Sequence, residues 1–153
     1  MNRFSFIRQV ALAVAVMSVL EFALPAFAAH PVPFKGRAAI EVTGDVITPP
    51  IRTLTGSATG EATHLGRFTR TETIIVDLTN FSFTGTVVFT AANGDSLRAN
   101  VVGQFTSLTT AVGAYSFTGG TGRFLHASGQ AAFEATASGP GRFDVTFNGT
   151  IQY

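Results

Sequence analysis

The chain has 153 residues, contains no cysteine, and carries 10 basic and 9 acidic side chains for a formal net charge of +1. This near balance gives no electrostatic reason to expect a nucleic acid or an anionic membrane surface as a partner. The absence of cysteine excludes disulfides and thiol chemistry, so a folded domain must be held together by its core.

The first 28 residues have the features of a secretory signal peptide. Arg3 and Arg8 precede the apolar run VALAVAVMSVL, and Ala26 and Ala28 supply the small residues of a cleavage site. We therefore expect Sec-type export to the periplasm or the exterior, with cleavage after Ala28. The remaining domain, residues 29–153, would have eight basic and eight acidic side chains and a length typical of one domain.

Residues 34–63 contain two segments whose side chains alternate between two faces, as in half-buried β-strands. The first segment, 34–43, ends before Pro49-Pro50, so we predict a loop or an edge crossing over 45–50. The second, 54–63, has a face made only of small residues and one leucine: Leu54, Gly56, Ala58, Gly60 and Ala62. Such a face either lets another group pack closely or leaves space inside the sheet.

The next segment, residues 67–78, places Arg70 and Glu72 on the same face as Ile74, Val76 and Leu78. Charged and aliphatic side chains on one face indicate either a register shift near Glu72 or a position at the mouth of a barrel. Arg70 and Glu72 are therefore the candidate cavity-mouth residues. No other arrangement in the sequence predicts catalysis, because the remaining carboxylates share faces with Thr, Ser, Asn and Gln, as on a solvated exterior.

Asn93-Gly94 separates two further alternating segments, 86–91 and 96–106, and predicts a hairpin with a type I′ turn. Segments 110–117, 127–136 and 142–152 complete a set of about eight strands joined by short turns. We predict an all-β domain, a single antiparallel β-barrel, since about eight strands close a barrel whose interior is filled or holds one small ligand. The 15 phenylalanines could fill that interior, so a filled and a hollow barrel both remain open.

The stretch YSFTGGTGRFLHASGQ, residues 115–130, is the most conspicuous motif. It is not a phosphate loop, because no lysine follows the glycines and a strand, not a helix, comes next. We predict a tight corner between the sixth and seventh strands, built on Gly119, Gly120 and Gly122, with Phe124 packed inward and Arg123 in water. Gly-Arg-Phe also occurs at 66–68 and 141–143, and we interpret it as a motif with which a strand begins.

This corner resembles the signature of the allene oxide cyclase-like and dirigent-like β-barrels. The matching residues are Thr118, Gly119, Gly120, Thr121, Gly122, Phe124, Ala127 and Gly129. The resemblance implies an eight-stranded antiparallel barrel, often trimeric, with a largely apolar central cavity. It carries over no catalytic residue, because the cavity residues of those families have no matching motif in this chain.

The sequence therefore predicts a secreted or periplasmic, non-catalytic barrel that binds a small apolar ligand or serves as a structural or interaction module. Two alternatives stay open: a cyclase- or isomerase-like enzyme using the cavity, and a small outer-membrane barrel. The latter is suggested by the aromatic, alternating end from Phe143 to Tyr153. No cofactor motif occurs, the three histidines lack metal-site spacing, and neither a nucleic acid nor a membrane is expected as a partner. A homo-oligomer, as a trimer, is implied by the resemblance alone.

Overall fold

The computed structural model describes residues 30–153, so the predicted signal peptide and its cleavage after Ala28 lie outside the described residues. Eight antiparallel strands follow one another around a closed barrel, with β1 also paired to β8. The strands are β1 Val32–Thr48, β2 Ile51–Ala62, β3 Gly66–Asp77, β4 Ser82–Ala91, β5 Ser96–Phe105, β6 Thr110–Gly120, β7 Ser128–Gly139 and β8 Arg142–Gln152. The predicted all-β barrel is confirmed.

The barrel has two differently built ends. The β2–β3, β4–β5 and β6–β7 connections meet at one end, which we call the corner end because it contains the Gly119–Gly122 corner. The β1–β2, β3–β4, β5–β6 and β7–β8 connections meet at the other, which we call the mouth end.

The half of the interior next to the corner end is filled with aromatic rings. Phe34 packs edge-on against Phe117 with ring centroids 4.9 Å apart and stacks on Phe147 at 5.4 Å. Phe68 meets Phe89 edge-on at 5.3 Å. Phenylalanine therefore fills this half, whereas the mouth half also contains packed phenylalanine rings but leaves a cavity of about 70 Å³.

One prediction about the first three strands needs correction, and one alternative is excluded. Residues 45–48, part of the predicted loop 45–50, continue β1, because a bulge between Val42 and Gly44 shifts the register and the hairpin then runs on to a turn at Pro49-Pro50. Beyond Glu41, which pairs with Arg142, β1 has left β8 and the hairpin projects past the barrel. Of the two alternatives stated for β3, the register shift near Glu72 is excluded, since β3 pairs without interruption on both sides.

The small residues of β2 allow close packing. A Cβ at Gly60 would lie 2.2 Å from the Arg37 carbonyl oxygen, and one at Gly56 would lie 3.1 Å from a Glu72 carboxylate oxygen. The β2 glycines thus make room for neighbouring backbone and for the Glu72 side chain, which is the close-packing alternative stated for this face.

The β4–β5 hairpin has the predicted position but another turn. Among residues 30–153 only glycines, His64 and Phe81 have positive φ, so Asn93 does not, whereas Gly94 has φ +90. The Gly94 amide donates to the Ala91 carbonyl oxygen at 2.9 Å. This pattern indicates a type I turn followed by a left-handed glycine, and the predicted type I′ turn is wrong.

The glycine corner joins β6 to β7 as predicted. Gly119 and Gly122 have φ +95 and +57, and a Cβ at Gly120 would lie 1.8 Å from the Ser96 carbonyl oxygen. Phe124 is fully buried, and Arg123 is partly exposed beside Asp95. Here Gly-Arg-Phe forms a short 3-10 turn, Gly122–Phe124. Only the copies at 66–68 and 141–143 begin strands, so the strand-entry interpretation fails at the corner.

The outer face of the barrel is mostly polar. On β4 the outward positions are Ser82, Thr84, Thr86, Val88 and Thr90, whereas the large buried side chains point inward. An outer-membrane barrel needs an apolar band outside, so this distribution disfavours that alternative. No helix within residues 30–153 has the length and apolar character needed to span a membrane.

Candidate functional site

A cavity of about 70 Å³ occupies the mouth half of the barrel. Its walls are almost entirely apolar, and its polar side chains are Thr55, Arg70, Glu72 and Tyr115. Partly exposed residues at the mouth, among them Leu54, Phe105 and Phe143, also line a second hollow of about 330 Å³ that lies between the mouth-end loops. The two spaces share these wall residues, so the outer hollow is adjacent to the cavity.

Arg70 lies at the inner end of this cavity. It is an inward position of β3, opposite Ala58 on β2 and Phe89 on β4, and it is only 4% exposed. Its guanidinium donates a 2.8 Å hydrogen bond to the Tyr115 hydroxyl. The same group lies 5.3 Å from the Tyr115 ring centroid and 5.5 Å from that of Phe89, within the range of cation–π attraction.

Glu72 is the counter-ion of Arg70. It follows two residues later on β3, so both side chains point inward, and its carboxylate contacts Arg70 as an ion pair with 9% of the side chain exposed. The contact lacks hydrogen-bond alignment, and Arg70 Nε and Glu72 Oε2 have no hydrogen-bond partner within residues 30–153. Glu72 Oε2 nevertheless contacts the Arg70 guanidinium, so Arg70 Nε is the unused group. Buried polar atoms are nearly always paired, so an unused donor beside a cavity marks a place for a ligand group or water.

The ionisation of Arg70 and Tyr115 depends on their burial and on one another. Burial lowers the pKa of Arg70, but Tyr115 and Glu72 favour the cation more strongly and the net pKa is raised. Burial raises the pKa of Tyr115, outweighing the opposing effect of Arg70. Arg70 therefore stays a cation and Tyr115 a neutral phenol, which accepts from Arg70 and keeps its own hydrogen for an acceptor in the cavity.

The outer hollow has one charged contact. Asp45 and Arg52 form a diagonal pair across the β1–β2 hairpin, because Arg52 lies two residues from Leu54, the residue opposite Asp45. They make a two-point ion pair with distances of 2.9 and 2.7 Å. The hydrogen bond from Arg52 lowers the pKa of Asp45. The two opposite charges cancel. The described residues that line the outer hollow therefore have a net charge of zero.

The sequence placed Arg70 and Glu72 together on β3, and the structure brings them into contact inside the cavity rather than at its mouth. The glycine corner, Gly119, Gly120, Gly122 and Phe124, lies at the opposite end of the barrel. Sequence analysis missed Tyr115. It stands at an inward position of β6, where a tyrosine hydroxyl needs a polar partner, and Arg70 is the single fully buried charged residue among residues 30–153.

No family model matches the sequence, and no match was found among curated proteins. One solved structure, that of a dirigent protein described as the pterocarpan synthase GePTS1, is similar to this chain with a TM-score of 0.59 and 16% sequence identity. The similarity covers 92% of this chain and 99% of that one. At this identity it establishes the fold, whereas the resemblance to allene oxide cyclase-like barrels stays a prediction. The chain therefore has the same β-barrel fold as that dirigent protein.

Proposed function

We propose that the protein is an exported, non-catalytic binding protein for a small, largely apolar molecule that carries one hydrogen-bond acceptor. The observation that supports it is the apolar cavity with Arg70 and Tyr115 at its inner end. An apolar ligand body would occupy the cavity and the outer hollow. Its acceptor oxygen would meet the Tyr115 hydroxyl and the unpartnered Arg70 Nε.

The size of the site limits the ligand. The inner cavity holds only a few non-hydrogen atoms, whereas ligand pockets for drug-sized molecules commonly measure about 300–1,000 Å³. A bound molecule would therefore place its narrow, acceptor-bearing end in the cavity and its larger part in the outer hollow.

Titration with a small neutral fluorescent probe such as 1-aminoanthracene tests this function. We expect one saturable site and a blue-shifted emission. Ala135→Leu, which fills the cavity, should weaken binding, while Ala132→Leu, an outward position three residues earlier on β7, should not. Absence of a saturable site, or equal effects of the two substitutions, would leave only a structural role.

Export is part of this proposal and is supported by the signal-like segment up to Ala28. Expression of the full chain in a host with Sec export, followed by N-terminal sequencing of the protein recovered outside the cytoplasm, tests it. The expected N-terminus is Ala29. Retention of residues 1–28 would contradict the cleavage.

A second candidate function, a cyclase- or isomerase-like activity, is supported by the side chains of Arg70, Tyr115 and Glu72. A cation, a phenol and a carboxylate meet beside one apolar space, as acid–base or carbonyl-polarising chemistry requires. The similar solved structure is named a synthase, although its activity belongs to that protein. Any turnover found for an apolar substrate should disappear in the Arg70→Met/Glu72→Leu double variant, and its persistence would exclude this function.

A further inference from the structure

Exposed apolar side chains are concentrated around the mouth of the barrel. Leu108 in the β5–β6 loop is 98% exposed, Ile47 in the β1–β2 hairpin is 58% exposed, and Phe81 in the β3–β4 loop is 53% exposed. Val46 and Ile51 of the same hairpin are also exposed. Large apolar side chains at the tips of three separate loops, all at one end, are unusual for a surface that meets only water.

These tips are held outward by ordered loops. Phe81 has φ +58, a left-handed conformation that is strained for a residue with a side chain. Two hydrogen bonds fix the Phe81 backbone there. The Phe81 amide donates to the Asp77 carbonyl oxygen, and the Phe81 carbonyl oxygen accepts from the Phe105 amide. The Leu108 loop is closed by hydrogen bonds from the Thr106 amide to Thr110 and from the Thr109 amide to Ser107. The fold therefore tolerates backbone strain at the position that presents an aromatic ring to the exterior.

The charges near the tips do not favour an ionic partner. Asp45 and Arg52 are paired with each other, and Asp77 accepts hydrogen bonds from the Thr79 amide and hydroxyl. Of the described residues that line the outer hollow, only Asp45 and Arg52 are charged. The described residues of this surface therefore do not form a basic cluster of the kind that binds anionic lipid headgroups.

We propose that the mouth end docks onto the surface of a lipid bilayer, with Leu108, Phe81 and Ile47 inserted among the uncharged upper parts of the acyl chains. Separate apolar tips around an opening suit a fluid interface, which closes around each tip, better than a rigid protein surface. The balanced charges suit a zwitterionic bilayer. Phe81 and Leu108 also line the outer hollow, so docking would bring that hollow, which is adjacent to the apolar cavity, to the membrane surface.

This proposal goes beyond the proposed ligand function and does not depend on it, since docking requires only the exterior of the loops. It also revises the expectation from the sequence that no membrane is a partner. That expectation rested on net charge, whereas the attraction proposed is apolar and comes from loop tips whose convergence only the fold reveals.

Tryptophan scanning gives a direct test because the chain contains no tryptophan. Leu108→Trp places a single reporter at the mouth end, and Leu125→Trp places a matched reporter at the corner end, where Leu125 is 58% exposed. With phosphatidylcholine vesicles whose acyl chains are brominated, we expect quenching and a blue shift for the Leu108→Trp protein alone. Equal behaviour of the two reporters would overturn the proposal.

Vesicle flotation of tryptophan-free variants supplies the second measurement. The unaltered protein should float with zwitterionic vesicles and be little affected by salt. Leu108→Asp should lower its partition coefficient by about tenfold or more. Phe81→Asn, whose side chain tolerates positive φ, should also lower it, and Leu125→Asp should not.

Three outcomes would reject the proposal. One is absence of flotation for the unaltered protein, and another is binding only to anionic vesicles that salt reverses. The third is self-association sensitive to Leu108→Asp without vesicle binding, which would assign the mouth end to a second copy. Loss of probe binding in the cavity with vesicle binding intact would reject only the ligand function.

Discussion

Replacing Glu72 while Arg70 remains should destabilise the barrel far more than replacing both. Arg70 is 4% exposed, and without Glu72 its guanidinium would keep only the Tyr115 hydroxyl and two ring faces. With charge centres about 4 Å apart and an effective permittivity of about 20, the lost attraction is about 4 kcal/mol. Removing one partner of a buried ion pair typically costs about 3–5 kcal/mol.

The double variant removes both charges from the apolar interior. Arg70→Met/Glu72→Leu keeps a similar side-chain volume and should have a free energy of unfolding within about 1 kcal/mol of the original protein. Each single variant, Glu72→Leu or Arg70→Met, should lose about 3 kcal/mol or more, so the coupling energy should be about 5 kcal/mol or more.

Urea unfolding followed by circular dichroism measures all four proteins, with an unchanged m-value as the check that unfolding stays two-state. The exposed pair Asp45–Arg52 is the matched control, because Asp45→Asn should lower the free energy of unfolding far less than Glu72→Leu does. Single effects that simply add to the double effect, within about 0.5 kcal/mol, would refute the idea that the two buried charges depend on each other.

Three further predictions concern packing and pH. Gly60→Ala should cost about 1–3 kcal/mol in urea unfolding because its Cβ would meet the Arg37 carbonyl oxygen at 2.2 Å, and an unchanged midpoint would show that β1 and β2 can separate. Phe34→Ala should cost about 3–5 kcal/mol in thermal unfolding because the ring is fully buried on Phe147, and a loss below about 1 kcal/mol would contradict the filled half of the barrel. Burial raises the pKa of Tyr115, so above about pH 10 the unfolded chain loses that proton first and stability should fall by up to about 1.4 kcal/mol per pH unit, a slope that Tyr115→Phe should remove.

The strands and the glycine corner were predictable because their signals are local. Alternation along β2 and β8 reflects the two-residue period of a strand, and Gly119 and Gly122 occupy positions of positive φ that favour glycine. The extension of β1 was missed because the bulge at Thr43 reverses the alternation just before two prolines. A bulge has no period, so the alternation ahead of it does not predict which face the later side chains of the strand occupy.

The candidate site was predictable only in part, since its three members come from two strands. Arg70 and Glu72 share a strand, and their spacing placed them on one face. Tyr115 is 45 residues away from Arg70, and only the closure of the barrel brings its hydroxyl to the guanidinium. The depth of the pair was missed for the same reason, because alternation tells inside from outside but not how far a residue lies from the mouth.

The ladder that closes the barrel has a consequence for the order of folding. It pairs Val32 with Ile151, so the first and last strands of the described chain must meet before the sheet loses its open edges. Pairing across so large a sequence separation is slow, and all-β domains with such contacts commonly fold in milliseconds to seconds. Closure therefore requires residues 142–152, and until they pair with β1 any partly assembled sheet has two unpaired strand edges that chaperones can recognise.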